Sequence, residues 1–189
     1  MDWKTRFTDI FNVTYPIVQG GLAHLAYADL ASAVSNAGGL GQITAMSLPS
    51  PEDLRNEIKR VKTLTDKPFG VNFAIGAGRR PYEEMVQVAI EENVPAISVT
   101  GGNPKGVLEL VEGHDIKTLV LVAARRQAEK AEELGADAVM VVGQEGGGHI
   151  GRTDTGTVVL TPQVVDSVSI PVLASGGIVD GKGLMAAFA

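Results

Sequence analysis

The run Gly146-Gly147-Gly148-His149-Ile150-Gly151 places a histidine on a backbone with almost no side chains around it. Histidine exchanges a proton readily near neutral pH, so an exposed one among glycines is a candidate general base. His114 lies in the polar turn Glu112-Gly113-His114-Asp115 and reads as a solvated residue, and His24 as a structural one. No group of histidines and carboxylates has metal-ligand spacing, and no metal is expected. The chain has no cysteine, which excludes disulfides and thiol chemistry. Glycine is abundant, 23 of 189 residues against a usual share of ~7%. Its clusters include Gly20-Gly21, Gly101-Gly102, Gly146 to Gly148 and Gly176-Gly177. Glycine lets backbone N–H groups approach a ligand closely, and Ser175-Gly176-Gly177 has the character of a phosphate-binding turn. Two nucleotide motifs are only partly matched. Gly146-x-Gly148-x-x-Gly151 spells the dinucleotide fingerprint, but the Arg152-Thr153-Asp154-Thr155-Gly156-Thr157 that follows has loop chemistry where a helix should open. The segment Gly176 to Gly183 resembles a P-loop but lacks the Ser or Thr that would ligate magnesium.

These residues fall at the ends of short apolar runs. The runs are Pro16 to Val18, Leu40 to Ile43, Phe69 to Ile75, Ala96 to Val99, Lys117 to Val122, Ala138 to Val142 and Ile170 to Leu173. Each is short and apolar on both faces, as strands of a buried parallel sheet are. Helical patterns separate them. Leu54, Ile58, Val61 and Thr65 share a face behind a Ser50 cap and Pro51. Tyr82, Met85, Val86, Ala89 and Ile90 share another. Ala124, Ala128, Ala131 and Leu134 make a small-residue face that Gly135 ends, and Thr161-Pro162 opens a shorter helix. Strict alternation of strand and helix predicts an α/β fold of the TIM (β/α)8-barrel type, with about seven β/α units in residues 1–189. A single domain is expected, ending before an eighth strand; an open seven-stranded sheet is the alternative. In a barrel the strand ends that carry Gln19 to His24, Gln42, Thr44, Asn72, Thr100 to Asn103, Arg125, Gly143 to Gly151 and Ser175 to Gly177 converge on the active face.

The net charge of −6 argues against a nucleic-acid partner. No apolar run approaches the ~18 residues of a membrane span. The start Met1-Asp2-Trp3-Lys4-Thr5-Arg6 lacks the apolar core of a signal peptide, so a cytoplasmic location is expected.

Pro16-Ile17-Val18-Gln19-Gly20-Gly21-Leu22-Ala23 resembles the opening of the nitronate monooxygenase (2-nitropropane dioxygenase) family. Asn36 to Gly41, Phe69-Gly70-Val71-Asn72, Glu145 to Gly151 and Pro171 to Gly177 are similar to its later segments, in order and along nearly the whole chain. The resemblance implies an FMN-containing TIM barrel. It implies that Gly21, Leu22 and Ala23 line the flavin, that Asn72 contacts its ring system, and that Arg125 is a polar flavin contact. Gly147 and Gly148 would border the flavin, and Ser175, Gly176 and Gly177 would hold its phosphate. His149 matches the family's catalytic histidine, acting on a nitronate or nitroalkane with O2 as co-substrate. The family continues into an eighth strand and further helices, so the chain is expected to be truncated. The flavin-dependent enoyl-acyl-carrier-protein reductase (type II) shares the architecture and is the alternative activity. A non-catalytic barrel fragment, associating as a homo-oligomer through its exposed seam, is the other.

Overall fold

The computed structural model describes residues 3–76 and 81–189, and within it the chain forms two compact units, Met1–Thr118 and Leu119–Ala189.

The first unit contains α1 (Arg6–Phe11), α2 (Ala28–Asn36), β1 (Gly41–Thr44), α3 (Pro51–Leu64), β2 (Phe69–Ala74), α4 (Glu83–Glu91), β3 (Ala96–Thr100) and α5 (Lys105–Val111). β1, β2 and β3 pair in parallel, with Gln42 opposite Gly70 and Gly70 opposite Ala96; Thr44 stands opposite Asn72, and Asn72 opposite Ser98. Alternate strand residues point to opposite faces. On one face Ile43, Phe69, Val71, Phe73, Ile97 and Val99 enter a core completed by Leu54, Ile58 and Val61 of α3 and Met85, Val86 and Ala89 of α4. The other face carries Gln42, Thr44, Asn72 and Ser98, which are also buried. A polar row is thereby enclosed where an ordinary parallel strand would be apolar on both faces. α3 begins as its sequence requires: Ser50 Oγ accepts from Asp53 N at 3.2 Å, and Pro51 occupies the first turn. Its outer face sends Arg55 to Glu91 and Glu92, which ties α3 to α4.

The second unit takes in β4 (Lys117–Val122) from Leu119 onward, then α6 (Arg125–Glu133), β5 (Ala138–Val142), α7 (Thr157–Val165), β6 (Val172–Ser175) and α8 (Gly181–Phe188). Leu119 pairs with Ala138, and Val142 with Ser175, again in parallel. Ala128 and Ala131 of α6 and Leu160 and Val164 of α7 are buried with the β5 side chains. Gly135, at φ +86°, follows α6 as the expected stop.

Two expectations are corrected. Pro16 to Val18 does not form a strand; Val18 makes one parallel bridge to Leu40. Beyond it the next rung is built by side chains. Gln42 N donates to Gln19 Oε1 at 3.0 Å, and Gln42 Nε2 donates to the Gln19 carbonyl at 2.9 Å. The helix expected from Thr161-Pro162 begins four residues earlier, at Thr157. Pro162 lies inside it and has no N–H for the Val158 carbonyl. Val158 is 82% exposed, so water can serve that carbonyl instead.

Candidate functional site

In the first unit the glycine segment after Gln19 is held by the polar row of the sheet. Leu22 N donates to Thr44 Oγ1 at 3.0 Å. A Cβ on Gly21 would overlap Asn72 Oδ1 and lie 2.5 Å from Asn72 Cγ, so only glycine fits at this approach. Asn72 is fixed in turn by its Nδ2, which donates to Ser98 Oγ at 2.9 Å. Gly21 and Asn72 are thus brought together, while Gly21, Leu22 and Ala23 stay exposed. Gln42 and Thr44 were expected on this face, but Ser98 was not. The signal for Ser98 is its register: it is a polar residue in a strand, directly opposite Asn72. Gln42 Oε1 is buried and has no hydrogen-bond partner among the described residues. A cavity of about 670 Å³ in this unit lies at the other ends of the strands, near Pro68, Phe69, Pro95 and Lys117, away from Asn72.

In the second unit the loop after β5 and the turn after β6 meet at the start of α7. The α7 N-cap is Gly156, which offers no side-chain acceptor. Glu145, from the preceding loop, supplies one: its Oε2 accepts from Thr157 N and from Thr157 Oγ1, both at 2.9 Å. An anionic acceptor at a helix N-terminus is favoured both by the unpaired N–H groups there and by the helix dipole. The Thr157 backbone N–H is the chief cause holding the Glu145 carboxyl below the usual glutamate range, with the Thr157 hydroxyl adding to it. Thr157 Oγ1 also lies 3.1 Å from the Ser175 carbonyl oxygen and 2.9 Å from that of Gly176. Gly143 N donates to the Ser175 carbonyl at 3.2 Å, and Gly146 N to the Gly143 carbonyl at 3.0 Å. Glu145 and Thr157 were given no role from the sequence. Local capping rules could not find them, because the capping carboxylate lies 12 residues from its target.

Gly176 and Gly177 follow one another at φ +100° and +76°, a conformation side chains rarely adopt. Among the described residues, neither backbone N–H is engaged in a hydrogen bond. Successive free N–H groups in such a turn make a concave anion site, so Ser175 to Gly177 fit the phosphate of a cofactor. Gly147 and Gly148 are exposed, and a Cβ on either would meet nothing within 4 Å. His149 is exposed on this loop, and its imidazole makes no hydrogen bond among the described residues. The loop is anchored beyond it, where a Cβ on Gly151 would lie 2.9 Å from Ala123 Cβ. Arg125 is the first residue of α6; it is exposed, and its Nε pairs with Glu129 Oε1 at 3.3 Å. No helix among the described residues is long and apolar enough to cross a membrane.

A family model described as nitronate monooxygenase matches residues 4–80 and 73–189. A (3aS,4S,5R,7aS)-5-hydroxy-7a-methyl-1-oxo-octahydro-1H-indene-4-carboxyl-CoA dehydrogenase of Rhodococcus jostii is 38% identical over 186 residues, which are 98% of this chain and 51% of the relative. A probable nitronate monooxygenase of Staphylococcus saprophyticus is 34% identical, over 98% of this chain and 64% of its own. The structure of FabK from Thermotoga maritima superposes with a TM-score of 0.91 at 43% identity, over 98% of this chain and 58% of that one. The α/β fold of the TIM-barrel type expected from the strand and helix alternation is therefore the fold of the chain, in part. The chain spans about half the length of the Rhodococcus relative.

Proposed function

Because the chain belongs to the nitronate monooxygenase family, we propose that the protein is an FMN-dependent oxidoreductase that acts on alkyl nitronates and nitroalkanes with O2. The observation that carries this reading is the pairing of an exposed His149 loop with a glycine turn whose N–H groups are free. Flavin chemistry in general is supported at the level of the family and its relatives; FMN and the nitronate are the finer part of the proposal.

The Ser175, Gly176 and Gly177 amides would bind the cofactor phosphate, because two unpaired donors in one turn favour an anion. Gly21, Leu22, Ala23, Asn72, Arg125, Gly147 and Gly148 are the further flavin contacts that the likeness to the family suggests. FMN, when bound, supplies a two-electron acceptor that dioxygen can reoxidise. His149 would take the proton from the carbon that bears the nitro group, which leaves the nitronate anion. Gly146, Gly147 and Gly148 bring no side chains beside the imidazole.

The test is His149→Ala in the native protein. Turnover of neutral nitroalkane should fall by roughly 10²–10⁴-fold, the usual contribution of a general base. Turnover of pre-formed nitronate should fall far less, since its proton is already gone, and flavin content should not change. Equal losses on both substrates would remove the base role. Release of FAD or of no flavin on denaturation would overturn the cofactor. Steady NAD(P)H consumption with a crotonyl thioester and none of nitronate would move the activity to thioester reduction.

A further inference from the structure

We infer that Glu145 and Thr157 are positioning residues that form one latch, setting both the phosphate-binding turn after β6 and the loop that carries His149. The inference deepens the flavin reading above and rests on it.

Thr157 is buried, and its hydroxyl faces three acceptors: Glu145 Oε2, the Ser175 carbonyl and the Gly176 carbonyl. One hydroxyl has one proton to give. Glu145 Oε2 already receives the Thr157 N–H, and the Ser175 carbonyl already receives Gly143 N–H. The Gly176 carbonyl has no other donor among the described residues, so it shares the hydroxyl proton with Glu145 Oε2 and is the acceptor with nothing else to rely on. A trans peptide carries its C=O and N–H on opposite sides. Turning the Ser175 and Gly176 carbonyls inward onto the latch therefore sends the Gly176 and Gly177 N–H groups outward. These are the two donors that the phosphate proposal needs, and the inward bonds decide where they point.

The same latch reaches the histidine loop. Glu145 stands four residues before His149, and its carboxylate is pinned to the first turn of α7. Its side chain packs against the turn, since a Cβ on Gly177 would lie 3.3 Å from Glu145 Cβ. Glycines leave room for the latch. A Cβ on Gly143 would overlap Thr157 N, and one on Gly176 would lie 2.8 Å from Thr157 Oγ1 and 2.9 Å from Gly146 N. Loop and turn are held by one pair of side chains, so disturbing the pair should disturb both.

The experiment measures FMN and riboflavin dissociation constants for the native protein and for Thr157→Val and Thr157→Ser. Valine keeps the shape of threonine and removes the hydroxyl; serine keeps the hydroxyl. Thr157→Val should weaken FMN by about tenfold or more and riboflavin by several-fold less, because only FMN has the phosphate that the Gly176 and Gly177 amides would meet. Thr157→Ser should restore the FMN value. Equal weakening of both flavins, or of neither, would overturn the latch. Wild-type protein that binds FMN no tighter than riboflavin would instead overturn the phosphate reading. The latch is then judged by amide hydrogen exchange, which needs no flavin. Protection of the bonded loop amides Gly143, Gln144 and Gly146 and of the Ser175 amide in β6 should fall together in Thr157→Val and return in Thr157→Ser. Loss in one segment without the other would refute it.

Discussion

Gly21→Ala tests how the first unit holds its glycine segment. The added Cβ would overlap Asn72 Oδ1 and sit 2.5 Å from Asn72 Cγ. Carbon atoms in contact stand ~3.5–4.0 Å apart, so Asn72 must retreat by about 1 Å or more. Its backbone cannot move easily, since β2 is paired to β1 at Thr44 and to β3 at Ser98. Its side chain can turn only by leaving the 2.9 Å bond to Ser98 Oγ. Overfilling a tight site costs about 1–3 kcal/mol. Leaving a buried donor and acceptor apart costs about 1–3 kcal/mol more. The sum is about 2–6 kcal/mol against a folding margin of ~5–15 kcal/mol, enough to move a denaturation midpoint clearly. Gly20→Ala is the control, because a Cβ there meets nothing within 4 Å; it should change stability by less than about 0.5 kcal/mol. The assay is urea unfolding followed by circular dichroism, for both single variants and for Gly21→Ala on an Asn72→Ala background. With the carboxamide gone, only the 3.2 Å approach to the residue-72 Cβ remains, so the added methyl should cost at least about 1 kcal/mol less than in the native background, and the two sites must be coupled. An equal loss in both backgrounds, or a Gly20→Ala loss as large as that of Gly21→Ala, would refute the steric account.

Gln19→Leu should lower stability by about 1–3 kcal/mol, because the Gln42 N–H is left without its acceptor. Gln42→Leu should stay within about 1 kcal/mol, since it removes the unpartnered Oε1 along with the Nε2 donor; equal losses in thermal unfolding would refute this asymmetry. The Glu145 carboxyl should titrate below an ordinary glutamate when followed by carbon NMR, because the Thr157 N–H, then Glu145's own backbone N–H and then the Thr157 hydroxyl stabilise the anion. A lowered value means that the latch contributes stability above the unfolded-state pKa and loses it as pH falls through the folded one. Thr157→Val should raise the midpoint partway, the backbone donor remaining; an unchanged midpoint would remove the hydroxyl from the account.

What the sequence made legible is what depends on neighbours along the chain. The Ser50-Pro51 start of α3 and the Gly135 stop of α6 are local devices, and both stand where their residue types place them. The buried strands β2 and β5 are apolar runs that periodicity detects directly. Pro16 to Gln19 defeats that reasoning for a specific cause. After the single bridge at Val18, the next rung toward β1 passes through two carboxamides, a substitution of side chain for backbone that no hydropathy pattern records. The start of α7 is hidden for a related cause. Thr153 to Gly156 read as loop, and Thr157 would read so too, until a carboxylate 12 residues upstream caps the helix. The same reach explains the division within the candidate site. His149, Asn72 and the glycines were singled out because their residue types could carry the chemistry or permit a close approach. Glu145, Thr157 and Ser98 act on those residues from elsewhere in the chain, and their bonds to Thr157, Gly176 and Asn72 exist only once separate strands are in register. A reading by residue type finds candidate ligand-facing groups sooner than the groups bonded to them, and in this protein those bonds span 12 to 26 residues.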